Sequence, residues 1–294
     1  MQRAQSSRDI SGRFTSSELD RARRVEVVVL PLGPYRNLTT MTAALYALHP
    51  NGLVLNHAAQ RVLGSPVDPF ADLGDERWLR FKAAAFRLAQ HGRGGNFGGN
   101  VLLSHAFANS ELAKAYAARF GEAIVKPDTK ALFWKDSTRL QNRIMEREGL
   151  IDELLERQPG ARFLFPVRNP MDCARSNMRT GHWRYLVAEG AGFDAVLRKI
   201  LELLQWFRRQ ERARPDRFLS FTETEIDAGF PERIAAFSNL PAPASWAVDD
   251  APKAIEVVQR SAHAPEVVAR YAELVADLFG DDPEMRRRLE QFAQ

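Results

Sequence analysis

Short, almost wholly apolar runs recur along the chain, and most of them lead into segments with helical spacing. The first is VEVVVL at residues 25–30. It is β-branched and lacks the polar alternation of a half-exposed strand, so it reads as a strand buried on both faces. Behind it, Met41, Ala44, Leu45 and Leu48 fall at helical intervals and predict a helix from about Thr39. GLVLNH (52–57), AIVKP (123–127), ALFWKD (131–136), ARFLFPV (161–167) and RFLSF (217–221) read as further strands. Residues 76–91, 109–120, a long stretch over about 138–157, and 194–213 read as helices. In the last of these, Val196, Ile200, Leu203, Leu204 and Phe207 line one side. NPMDCARSNM opens another helix, and two or three more finish the chain. Such alternation predicts an α/β fold with a mostly parallel central sheet flanked by helices on both faces.

Residues 1–24 show no sustained periodicity and read as a mobile N-terminal arm, with a short helix from about Ser17. That leaves 25–294 as a single α/β domain, a length able to bury a large core. An apolar share of 45% with 27% charged residues is that of a soluble globular protein. A formal charge of +4 suits an anionic small ligand and is too weak to argue for nucleic acid. Cys173 is the only cysteine, which excludes an intrachain disulfide and a cysteine-rich metal site. No apolar run approaches the roughly 18–20 residues needed to cross a bilayer, and the polar N-terminus lacks a signal-peptide core. The expectation is a cytoplasmic protein without a membrane span. A homo-oligomer is left open.

Two segments carry chemistry. The loop PLGPYRNLTT (31–40) joins the first strand to the first core helix. In an open α/β sheet, ligands sit beyond the carboxyl ends of the strands. There the helix N-terminal amides and dipole favour an anion, Thr39 and Thr40 add hydroxyl donors, and Arg36 adds a permanent charge. The nucleoside-triphosphate loop G-x-x-x-x-G-K-[ST] is not met, because Leu38 stands at the second glycine and Thr39 at the lysine. The plainer alternative is a strand–turn–helix joint capped by threonines. The second segment is FLFPVRNPMDCARSNM. Asn169 suits an N-cap, Pro170 the first helical position, and Asp172 the first turn. Arg168, Asp172 and Ser176 then lie along one helix side, where an arginine and a serine could converge on one phosphate. The plainer alternative is a well-capped helix whose arginine pairs with a carboxylate.

RNPMDCARS resembles the 3′-phosphate-binding segment of the sulfotransferases that use 3′-phosphoadenosine 5′-phosphosulfate (PAPS), in which a serine follows the arginine by eight positions, as Ser176 follows Arg168. YRNLTT is similar to that family's 5′-phosphosulfate loop, with Arg36, Thr39 and Thr40 in register and Asn37 and Leu38 replacing the usual serine and glycine. ALFWKDSTRL resembles the lysine-bearing strand end of the bacterial and Golgi-type branch, and RFLSFTETEI its aromatic–acidic stretch. The resemblance implies a P-loop-like sulfotransferase architecture and PAPS as co-substrate without a metal. The acceptor would be a small molecule, lipid or carbohydrate. It assigns Arg36, Asn37, Leu38, Thr39 and Thr40 to the 5′ side and Arg168 and Ser176 to the 3′-phosphate, with Arg36 and then Lys135 at the leaving oxygen. That branch often carries a carboxylate at the end of the second strand, where Asn56-His57 stands here. A histidine near its ordinary pKa of about 6.5 is a competent base, so His57 is the expected base and Asp136 the reserve. Because leucine lacks the backbone freedom of glycine, a reshaped first loop is also expected.

Other signals are weaker. GRGGNFGG (92–99) follows a helix, lacks a dinucleotide frame, and reads as a mobile loop over the acceptor. His105, His182 and His263 stand apart in sequence and predict no zinc site. His182 and Trp183 could line an acceptor pocket or simply pack, and Arg260 and Ser261 could reach the 3′-phosphate. Two rival functions remain open. One is a P-loop kinase using Asp136 for magnesium; the other is a non-catalytic relative that binds the desulfated product PAP.

Overall fold

A computed structural model of the chain describes residues 12–92, 98–108, 110–255 and 262–293. Five strands form one sheet: β1 (Val27–Pro31), β2 (Gly52–Asn56), β3 (Ala131–Lys135), β4 (Ala161–Val167) and β5 (Phe218–Thr222). Their order is β2-β3-β1-β4-β5, and every neighbouring pair is parallel. β1 sits centrally, with Val28 level with Leu132 of β3 and Leu30 level with Phe163 of β4. All five strands bear every or nearly every residue buried, as a sheet covered on both faces requires.

The helices in chain order are α1 (Ser16–Arg23), α2 (Thr39–Leu48), α3 (Ala59–Val62), α4 (Asp75–His91), α5 (Ser110–Phe120), α6 (Ser137–Met145), α7 (Leu150–Arg157), α8 (Pro170–Thr180), α9 (Phe193–Ala213), α10 (Phe230–Phe237), α11 (Ala244–Ala247), α12 (Ala251–Ile255), α13 (Pro265–Leu278) and α14 (Pro283–Glu290). One sheet face carries α4, α6 to α9, α13 and α14, packed through Phe81, Leu140, Phe165, Phe207 and Tyr271. The other carries α2, α5 and α10 to α12, packed through Leu45, Tyr46, Phe133, Phe230 and Trp246. Among the described residues no helix is long and apolar enough to cross a membrane.

Three expectations need correction. AIVKP is a turn rather than a strand. Its Lys126 is buried, and the ammonium donates to the carbonyls of Ala47, His49 and Gly52, which commits the segment to closing the end of α2. The long helix over 138–157 is two helices, α6 and α7, because Gly149 adopts a left-handed φ of 72° between them. The arm expected to be mobile is packed over its described part. Thr15 and Glu18 form a capping box at the start of α1, Ala22 is fully buried, and Glu18 pairs with Arg87 of α4. The rest of that arm, residues 1–11, lies outside the described residues.

Candidate active site

The chain leaves β1 through α2 on one face of the sheet and leaves β4 through α8 and α9 on the other. Neighbouring strands with opposite exits leave a crevice at their carboxyl ends, the usual place for a ligand in such sheets. The loops after β1 and β4 meet there. Arg36 Nε donates to Ser176 Oγ at 3.0 Å across 140 residues of sequence. The Arg168 amide donates to Asn37 Oδ1 at 2.7 Å. Asn177, one residue beyond Ser176, donates to the Tyr35 carbonyl at 2.8 Å. The buried Cys173 thiol feels both guanidinium groups: burial raises its pKa to about 12, while Arg168 and Arg36 pull it back. Both arginines therefore lie near one point on α8.

The first loop is held from below as well. Gly33 has a φ of 95°, and a Cβ there would stand 2.6 Å from the Phe165 ring, so this turn requires glycine. Its amide donates to Gln141 Oε1, and its carbonyl accepts from Thr138 Oγ1, both on α6. Leu38 also takes a left-handed conformation, φ 58°, at the N-cap of α2. The leucine thus occupies the conformation a glycine would favour, at a cost of order 1 kcal/mol, and Arg36 is left-handed as well, at φ 65°. Thr39 and Thr40 open α2, where first-turn amides lack intrahelical acceptors. Among the described residues their hydroxyls take no partner, and the buried Asn37 amide nitrogen has none either.

The ends of β2 and β3 complete the crevice. Lys135 is buried with its ammonium 3.3 Å from Asn56 Oδ1. Burial lowers its pKa to about 8, with Asp136 opposing and Arg36 adding to the shift. His57 follows β2 with a left-handed φ of 59°. Its pKa falls to about 3, first because it is buried and then because Lys135, Arg139, His105 and His182 surround it with positive charge. The ring is therefore neutral at physiological pH and does not hold the near-ordinary pKa expected of it, and a bound anion's charge would raise its basicity. Asp136 is buried, and both its oxygens are engaged: one accepts from the Tyr35 hydroxyl at 2.8 Å, the other from the Ala59 amide at 3.0 Å. It fastens the loops after β1 and β2 to the end of β3 and neither caps α6 nor presents a free oxygen. That arrangement disfavours both a magnesium-binding and a base role for it.

Among the solved structures similar to this chain are three sulfotransferases. The mouse sulfotransferase SULT7A1 complexed with PAP matches at 11% identity and a TM-score of 0.46, covering 95% of this chain and 94% of its own. The sulfotransferase STF9 from Mycobacterium avium matches at 15% identity and 0.43, covering 90% and 78%. The sulfotransferase domain of the Synechococcus olefin synthase matches at 14% and 0.40, covering 86% and 94%. No protein-family model and no curated protein matches the sequence.

Spacing alone did not reveal several residues of the crevice. Gln141 and Arg139 gain their places because β3 lies beside β1, and Asn177 reaches Tyr35 because β4 lies on the other side of β1. A polar residue directly beside each expected ligand, Tyr35 before Arg36 and Asn177 after Ser176, was the available signal. His182 packs its ring 4.9 Å from that of Tyr35, and Tyr185 lies 5.9 Å from it edge-on. His263 is not isolated: it lies 3.3 Å from Asp172 and 3.0 Å from Arg175. Arg260 and Ser261, and residues 93–97 of the glycine-rich loop, lie outside the described residues. Among the described residues no group of His, Cys, Asp and Glu is arranged to hold a metal.

Proposed function

We propose that this chain transfers a sulfuryl group from PAPS to a hydroxyl or amine acceptor. The observation that carries the reading is the bond from Arg36 to Ser176, which joins the two phosphate-like segments at the crevice between β1 and β4. The donor set fits the nucleotide's phosphates. Among the described residues Arg36 has no carboxylate partner, Asn37 keeps an unpartnered buried amide, and the one acid on that side of α8, Asp172, is turned to His263. PAPS, when bound, supplies a sulfuryl group already activated as a phosphosulfate anhydride.

Arg36, Thr39, Thr40 and the first-turn amides of α2 would hold the 5′ side, and Arg168 and Ser176 the 3′-phosphate. In the transfer, the bond from acceptor oxygen to sulfur forms as the bridging sulfur–oxygen bond breaks. The bridging electron pair stays with the 5′-phosphate, and the acceptor proton passes to the His57 ring. A loose, in-line transfer leaves mainly positioning and charge stabilisation to the protein. Lys135 and Arg36 meet the charge growing on the leaving oxygen, where fixed cations act most strongly.

His57→Asn tests the base. Asparagine tolerates the left-handed backbone that His57 adopts, so the loop keeps its course while the ring is lost. With PAPS and an acceptor panel, turnover is expected to fall about 100-fold, with PAP affinity unchanged by calorimetry. Unchanged turnover would remove His57 from the role. PAP binding without turnover in the parent protein, across a broad acceptor panel, would leave a nucleotide-binding protein instead.

A further inference from the structure

A cleft of about 450 Å³ opens beside the crevice, between α3 and α6. That volume is within the range of small-molecule sites. Ala59, Gln60, Leu63, Arg139, Asn142 and Arg143 are among the residues lining it. Two of them connect it to the proposed reaction centre. Ala59 gives its amide to Asp136 and follows His57 by two residues. Arg139 lies near enough to His57 and His182 for its charge to act on both.

The charges in this cleft are unequal. Arg143 is neutralised by the buried Asp68 at 3.4 Å and by Glu146 at 3.2 Å. Arg139 has no carboxylate within ion-pair distance among the described residues, and the carboxylate whose charge acts on it, Asp136, is committed to Tyr35 and Ala59. Its guanidinium instead stands 5.8 Å from the Tyr185 ring. Asn142 donates to the Tyr185 carbonyl at 3.3 Å and ties that ring's segment to the cleft wall. The groups whose charge acts on His57 are Lys135, Arg139, His105 and His182, all cationic or able to become so. A half-buried guanidinium without a counter-ion favours an oxyanion, which it can hold with two parallel hydrogen bonds.

We infer that this cleft receives the acceptor and that Arg139 selects an acceptor bearing an oxyanion, a carboxylate, sulfate or phosphate, on the end remote from the hydroxyl or amine presented to His57. The inference rests on the sulfuryl-transfer reading and names its substrate class.

The test uses the full chain saturated with PAP and two matched pairs of probes, 4-hydroxybenzoate against 4-hydroxybenzamide and glucose 6-phosphate against glucose, measured by calorimetry. At least one anionic member is expected to bind ten-fold or more tightly than its neutral counterpart, and Arg139→Gln is expected to erase the difference. The variant's affinity for PAP reports that it is folded. Equal affinities within both pairs, no binding by any of the four, or discrimination that survives Arg139→Gln would overturn the inference while leaving nucleotide binding intact. Failure of PAP itself to bind the parent protein would overturn the sulfuryl-transfer reading, and this inference with it.

Discussion

Lys135→Met is expected to lower kcat by two to three orders of magnitude, the usual loss when one fixed donor is taken from a developing oxyanion. Methionine keeps the length and apolar stem of the buried side chain while removing the ammonium that bonds Asn56. The parent protein should also show a pH dependence that the variant lacks. Burial lowers the pKa of Lys135 to about 8. The protonated form is the one that stabilises the leaving oxygen, so kcat/KM, which reports the free protein, should fall as pH rises through about 8. The bound nucleotide's negative charge favours the ammonium and should move the same limb in kcat to higher pH. A pH–rate profile of both proteins checks this. An alkaline limb that persists in Lys135→Met would assign the titration to another group.

The second large effect is on stability. Lys126→Met is expected to cost about 3–5 kcal/mol, read as a shift in the midpoint of urea unfolding. Three carbonyls, those of Ala47, His49 and Gly52, converge on the buried ammonium. Two of them end α2, where a cation also answers the negative end of the helix dipole. Each carbonyl left buried without a donor costs roughly 1–3 kcal/mol, and a thioether near the Tyr116 and Phe120 rings, where the ammonium now stands at 5.7 and 4.5 Å, offsets part of the sum. Because α2 begins at the first loop, the loss should also weaken PAP binding. A change below about 1 kcal/mol would show that the three carbonyls find other donors.

All five strands were legible because each is a compact, largely apolar run buried on both faces, and so was the helix opened by Asn169 and Pro170. AIVKP has the same local composition and fails as a strand because Lys126 is drawn inward by carbonyls more than 70 residues away. No window of sequence contains that cause. The same holds at the crevice. Arg36 and Ser176 could be paired on motif spacing, but the role of Asp136 depends on Tyr35, 101 positions away, and on Ala59, 77 positions away. Those partners meet only because β3 lies between β2 and β1. Leu38 taught the opposite lesson: local preference argued against a left-handed backbone, and Leu38 adopts one at the N-cap of α2 nonetheless.

In the proposed complex Arg168 and Ser176 read a 3′-phosphate while the loop at Arg36 reads the 5′ end of the same nucleotide. Calorimetry comparing PAP with adenosine 5′-phosphate, which differs only by that phosphate, tests it most directly. The parent protein should bind PAP at least 100-fold more tightly without added metal, and Arg168→Ala should bring the two affinities together. Equal affinities in the parent protein, or a preference for PAP that outlasts the loss of Arg168, would contradict it.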